Sequence, residues 1–74
     1  MIDGLDDRLE SFLYDKTYSW IIDIFQFNFN GYVKEIQKTK FLFTDDELGD
    51  IWINKNDVKN ITYSKKKLEE KRNG

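Results

Sequence analysis

The chain has 74 residues, of which 12 are basic and 14 acidic, giving a formal net charge of −2. It contains no cysteine and no histidine, which excludes disulfides, thiolate or imidazole zinc sites, and Ser-His or Cys-His nucleophiles. A charged fraction of 35% beside 39% apolar residues is typical of a soluble globular domain. We therefore expect one small domain over residues 1–64, stabilised by self-association because so short a chain builds a thin core.

The apolar runs of the sequence are short. Asp23 interrupts the longest of them, well before the about 20 apolar residues that a membrane-spanning helix needs. No apolar signal segment follows the first residues. We expect a cytoplasmic protein that makes no membrane contact and carries no cofactor.

The first predicted element is a short amphipathic helix that ends near Tyr14. Four apolar residues follow one face of a 3.6-residue period: Leu5, Leu9, Phe12 and Leu13. Asp3 is a candidate N-cap. A helix of about ten residues is unstable alone in water, so its apolar face must cover a core.

Five short β-strands are predicted between Thr17 and Ser64. This region is rich in β-branched and aromatic residues, and the chain contains no proline. Gly31 lies inside the second strand, where glycine typically marks a sharp bend or a close backbone approach. The predicted core residues of the strands are Phe29, Val33, Phe43, Ile51, Ile53 and Ile61.

The segment WIIDIFQFNFNGYV, residues 20–33, permits two interpretations of its phenylalanines. Exposed aromatic rings on a strand stack single-stranded bases. However, no lysine or arginine lies between Lys16 and Lys34, and so small a domain needs its apolar side chains for the core. The pattern favours a core position for Phe25, Phe27 and Phe29, with a turn near residues 25–28 that lets both strand faces reach one core.

A helix followed by five strongly bent antiparallel strands predicts a mainly β fold, a small barrel with the helix capping one end. This order resembles the Sm-like (LSm) fold, a variant of the SH3-like barrel, from about Leu5 to Tyr63. FNGYVKEI at 29–36 resembles the second strand of that family, with its bend glycine. IWINKNDVKNI at 51–61 resembles the second Sm motif. The resemblance implies an RNA-binding protein that forms homo-oligomers.

The uridine pocket of the Sm-like family does not transfer to this chain. That pocket uses an Asp and an Asn in the turn after the second strand, and an Arg-Gly pair in the turn after the fourth. Here the first of these turns reads Gln-Lys-Thr-Lys at 37–40, and the second reads Asn-Lys-Asn-Asp at 54–57.

Lysines supply the candidate nucleic-acid contacts. Residues 38–74 hold nine basic and seven acidic side chains, whereas residues 1–37 hold three and seven. A basic rim at one barrel end, with the start of the charged tail at 65–74, could hold phosphates, although such lysines also protect strand edges or form a solvated tail. The candidate residues are Lys38, Lys40, Lys55, Lys65, Lys66 and Lys67.

Two further features of the sequence bear on function. Trp52 is predicted to face away from the Ile51 and Ile53 side of its strand, and it is a candidate contact residue for a partner. Four carboxylates cluster between the third and fourth strands: Asp45, Asp46, Glu47 and Asp50. Their spacing lacks the distal glutamate of a calcium loop, so the pattern favours a solvated turn.

Two functions remain open from the sequence, and neither is enzymatic, because no activated nucleophile or metal set is present. The first is binding of RNA or another single-stranded nucleic acid through the lysine rim, as a homo-oligomer. The second is a protein-interaction module, a scaffold or regulatory subunit that uses Trp52 and exposed strand edges.

Overall fold

The computed structural model describes residues 2–64, which form one helix followed by five strands. Helix α1 covers Leu5–Asp15, as the 3.6-residue period predicts. None of the helices in this part of the chain is long and apolar enough to cross a membrane. The strands are β1 (Ser19–Asp23), β2 (Asn28–Ile36), β3 (Lys40–Asp45), β4 (Gly49–Asn54) and β5 (Val58–Tyr63), with a 3-10 helix η1 (Lys55–Asp57) between the last two.

The five strands form one antiparallel sheet in the order β4-β3-β2-β1-β5. Strand β2 pairs with two neighbouring strands: its first half pairs with β1 and its second half pairs with β3. Strands β4 and β5 are the two ends of this order, joined along the chain by η1. Over residues 2–64, therefore, β4 and β5 do not pair with each other, and each leaves one strand edge unpaired.

Gly31 lies where the two halves of β2 meet. It is the partner of Ser19 in β1 and of Asp45 in β3. A Cβ atom at this position would lie 1.7 Å from the backbone oxygen of Thr44. The close backbone approach predicted from the sequence is confirmed.

The core lies between α1 and the concave face of the sheet. Of the predicted residues, Val33, Phe43, Ile53 and Ile61 are buried, and Phe29 and Ile51 pack against them at partial burial. Three strand residues outside the predicted list, Ile21, Phe41 and Val58, are also buried, as are Leu5 and Leu9 on the predicted apolar face of α1. In β1 the inward face carries Ser19, Ile21 and Asp23.

The start of α1 differs from the prediction. The N-cap is Gly4, in the left-handed region with φ 74°, and not Asp3. The carbonyl of Gly4 accepts the first helical hydrogen bond from the N–H of Arg8 at 3.0 Å. Glycine reaches this backbone conformation without the steric cost that a Cβ atom would impose.

The predicted core positions of Phe25 and Phe27 are wrong. Both side chains are exposed, at 63% each, because β1 ends at Asp23 and the chain turns at once. One carboxylate oxygen of Asp23 accepts the backbone N–H of Phe25 and that of Phe27, both at 2.9 Å. The turn near residues 25–28 therefore exists, but it directs these rings into solvent.

Candidate nucleic-acid-binding surface

The β2–β3 turn and η1 lie together at one end of the barrel. The backbone N–H of Lys55 donates to the carbonyl of Thr39 at 2.9 Å, and Lys40 lies opposite Asn54 in the β3–β4 pairing. The turn that carries Lys38 is thus in contact with the connection that carries Lys55. The two turns expected to meet at one barrel end do meet.

Lys55, however, does not contribute to an exposed rim. It is 5% exposed, and its Nζ lies 2.8 Å from Oδ1 of Asp6 on α1. A buried ammonium group needs a partner of opposite charge, and this ion pair joins η1 to the helix. Lys38 is exposed and Lys40 is half-buried, so these two remain as the described part of the predicted rim.

Lys40 contacts the side chain of Trp52. Its Nζ lies 4.7 Å from the centre of the indole ring, in a cation–π arrangement. Trp52 is 47% exposed on β4, which is an edge strand, and it faces away from the buried Ile53. The predicted orientation of Trp52 is confirmed, and its role as a contact residue remains a proposal. The candidates Lys65, Lys66 and Lys67, like the whole predicted tail 65–74, lie outside the described residues.

Residues 24–27, here called the aromatic turn, form the second part of the surface. Ile24 is 51% exposed, and the two phenylalanine rings are exposed further. The backbone N–H of Ile24 donates to the carbonyl of Asp57 in η1 at 2.8 Å. Since Lys55, at the other end of η1, is bonded to the β2–β3 turn, this three-residue helix holds the aromatic turn and Lys38 in one neighbourhood.

The chemistry of this surface suits a flexible polyanion that carries planar rings. Exposed phenylalanines offer π-faces for stacking, and the exposed amides of Gln26 and Asn28 adjoin them in sequence. Lys38 offers an exposed positive charge for a phosphate. Sequence reasoning missed the aromatic turn as a site because no lysine or arginine lies between Lys16 and Lys34 and so small a domain needs its apolar side chains for the core. The available signal was Asp23, whose side chain can accept the N–H groups of the residues that follow it.

The carboxylate cluster between β3 and β4 is only partly a solvated turn. Asp45 is buried at 7% exposure, and its carboxylate accepts the backbone N–H groups of Asn30, Glu47 and Leu48 at 2.9–3.0 Å. Its role is to shape the turn, while its neighbour Asp46 is exposed, as expected. No group of acidic residues within residues 2–64 is arranged to hold a metal ion.

Comparison with known proteins bears on the fold. No protein-family model and no curated protein sequence matches the chain. The structure is similar to the crystal structure of the pleiotropic translational regulator Hfq, with a TM-score of 0.70 and 21% sequence identity. The similarity covers 77% of this chain and 93% of that chain. It confirms the predicted Sm-like fold, a mainly β small barrel with an N-terminal helix.

Proposed function

We propose that this Sm-like barrel is a non-enzymatic protein that binds single-stranded RNA as a homo-oligomer. The observation that carries the proposal is the pair of exposed rings, Phe25 and Phe27, in a turn that is linked through η1 to the lysine-bearing β2–β3 turn. A translational regulator of known structure shares the fold, which supports RNA as the ligand class.

Stacking contributes more to this binding than charge does. Each base stacked on an aromatic side chain contributes about 1–3 kcal/mol. The net charge of the chain is −2, so its overall field does not attract a polyanion, and the phosphate contacts fall to individual lysines such as Lys38. Each phosphate contact with a single strand changes the slope of log K against log salt by about −0.7. The affinity should therefore depend only weakly on salt.

The edges of the sheet support self-association. Strands β4 and β5 end the sheet on opposite sides, and an unpaired edge offers a row of N–H and C=O groups to another chain. Pairing β4 of one copy with β5 of the next is a head-to-tail contact, which closes into a ring when the rotation permits. Trp52 on β4 and Tyr63 on β5 are both exposed at these edges and would be covered in such an assembly.

Truncation of the two rings tests the stacking role. The variant Phe25→Ala/Phe27→Ala should weaken RNA binding at least about 30-fold, because two stacked bases are lost, with an unchanged salt slope. Lys38→Gln should weaken binding less and make the slope shallower by about 0.7. Fluorescence anisotropy with labelled oligo-U and oligo-A, at several salt concentrations, measures both effects.

Tyr14→Ala is the matched control for the ring truncations, since Tyr14 is an exposed aromatic side chain on α1. It should bind as the unaltered protein does. Equal affinities for the double phenylalanine variant and the Tyr14→Ala control would refute the stacking role. Absence of binding to either RNA at low salt would instead favour the protein-interaction module, with Trp52 as its exposed contact.

A further inference from the structure

The β3–β4 connection presents an apolar side chain between carboxylates. Residues 46–48, here called the acidic turn, consist of Asp46, Glu47 and Leu48, and all three are exposed. Leu48 is 65% exposed. The turn is held in place because the buried carboxylate of Asp45 accepts the N–H groups of Glu47 and Leu48 at 2.9 Å. The turn therefore holds an apolar side chain in solvent directly after two exposed carboxylates.

A groove of complementary chemistry lies between the end of α1 and β2. Its volume is about 350 Å³, at the small end of the range for ligand cavities. The half-buried Leu13 gives it an apolar wall next to the buried Val33, and Lys16 and Lys34 border it with exposed ammonium groups. Neither lysine makes an ion pair within residues 2–64. We call this cavity the lysine groove; Tyr32 completes its lining.

The acidic turn and the lysine groove are neighbours on one face of the molecule. The hydroxyl of Tyr18 donates to the carboxylate of Asp46. The ring of Tyr18 lies 5.4 Å, centre to centre, from the ring of Tyr32, which lines the groove. One face therefore carries both an apolar side chain flanked by carboxylates and an apolar groove flanked by lysines.

We propose that this face binds a second copy of the same chain, with Leu48 of each copy seated in the lysine groove of the other. A two-fold contact requires one patch that is complementary to itself, and these two adjacent features meet that requirement. In the contact, Asp46 and Glu47 of one copy face Lys16 and Lys34 of its partner. The contact does not use the edge of β4 or of β5. It therefore joins copies that β4–β5 pairing between chains does not join.

RNA is a poorer occupant of the lysine groove than a second copy is. Among residues 2–64, the lining of the groove includes no amide side chain, and its one hydroxyl group is that of Tyr32, so it has few groups that recognise a base edge. Tyr32 also contacts Tyr18 at a tilt of 52°, which leaves less of its ring face available for a base. A leucine between carboxylates matches both the apolar walls and the charges.

Charge exchange between the two features tests the contact. Lys34→Glu alone and Glu47→Lys alone should each lower the weight-average mass in sedimentation velocity by about half at low salt, because a two-fold contact pairs units in twos. The combined variant Lys34→Glu/Glu47→Lys should restore the original mass, since the exchanged charges again face each other across the two-fold axis. Circular dichroism spectra should match those of the unaltered protein, because both side chains are exposed and neither belongs to the core.

Glu10→Lys is the matched control for Glu47→Lys, with the same charge change at an exposed position on α1, and it should leave the mass unchanged. An unchanged mass in the two single variants would overturn the proposal, as would a combined variant that stays small or a control that behaves like Glu47→Lys. RNA binding by the single variants should persist. The mass measurement therefore tests this contact separately from RNA binding. Absence of RNA binding would not refute the contact, and absence of the contact would not refute RNA binding.

Discussion

Replacing Gly31 by alanine should destabilise the domain by about 3 kcal/mol or more, at or beyond the upper end of the range for overpacking. The reason is local, since the added Cβ would lie 1.7 Å from the carbonyl oxygen of Thr44 and 2.8 Å from its carbon. Both are backbone atoms, so a change of rotamer cannot relieve the clash. The β2–β3 pairing must separate at the point where β2 changes partners, and the larger Gly31→Val should be worse.

Gly49→Ala is the control for the steric origin of this effect. Gly49 has a φ of 76°, and a Cβ atom there would meet nothing within 4 Å. The cost of alanine at this position is the left-handed conformation alone, about 1–2 kcal/mol. Urea unfolding of the two variants measures the difference. A Gly31→Ala variant that is as stable as Gly49→Ala would contradict the close approach of β2 and β3.

Truncating Phe43 to alanine should cost about 3–5 kcal/mol, the range for removing a buried phenylalanine. Phe43 is completely buried and lies between Val33 on β2 and Ile51 on β4. A domain of this size has only about 5–10 kcal/mol of stability to lose, so the variant should be largely unfolded at moderate temperature or in dilute denaturant. Thermal and urea unfolding followed by circular dichroism measure the loss.

Phe27→Ala is the matched control, because it removes the same side chain from an exposed position. It should change the free energy of unfolding by less than about 0.5 kcal/mol, as is usual for surface substitutions. The buried phenylalanine on β3 and the exposed one in the aromatic turn should then give opposite results. Equal losses for Phe43→Ala and Phe27→Ala would mean that the core is not where the structure places it.

Periodicity predicted the elements of this fold well, because burial on one side is a repeated physical requirement. The change from a 3.6-residue to a 2-residue period near Lys16 located the end of α1 and the start of the strands. Gly31 marked the bend because only glycine fits against another backbone at that distance. The predicted apolar face of α1 is also confirmed, since Leu5 and Leu9 are buried and Phe12 and Leu13 pack against the core.

Periodicity failed where one side chain decides the local structure. Alternation gives the face of a strand but not the residue at which the strand ends, and hydrogen bonds to Asp23 end β1 before Phe25. In the same way, the sequence predicted a solvated position for Asp45, whereas its carboxylate accepts three backbone N–H groups. Because the end of β1 at Asp23 is not visible in the alternation, the sequence predicted a core position for Phe27, which lies at the surface.

Long-range pairing accounts for the error in the predicted lysine rim. Lys55 is separated from its partner Asp6 by 48 intervening residues, and no local sequence pattern indicates that α1 packs against η1. Lys38 lies in the β2–β3 turn as predicted, whereas Lys40 is the first residue of β3. The resulting surface depends more on aromatic rings and less on lysines than the sequence indicated.

The central claim is that the chain assembles with itself and binds single-stranded RNA, and light scattering after size-exclusion chromatography tests it most directly. The protein should be measured alone and with a short labelled oligo-U or oligo-A at about 150 mM salt, where surface charges are screened beyond about 8 Å. The account predicts a mass several times that of the 9.0 kDa chain, with RNA eluting in the protein peak. A monomer with all of the RNA eluting separately would contradict it.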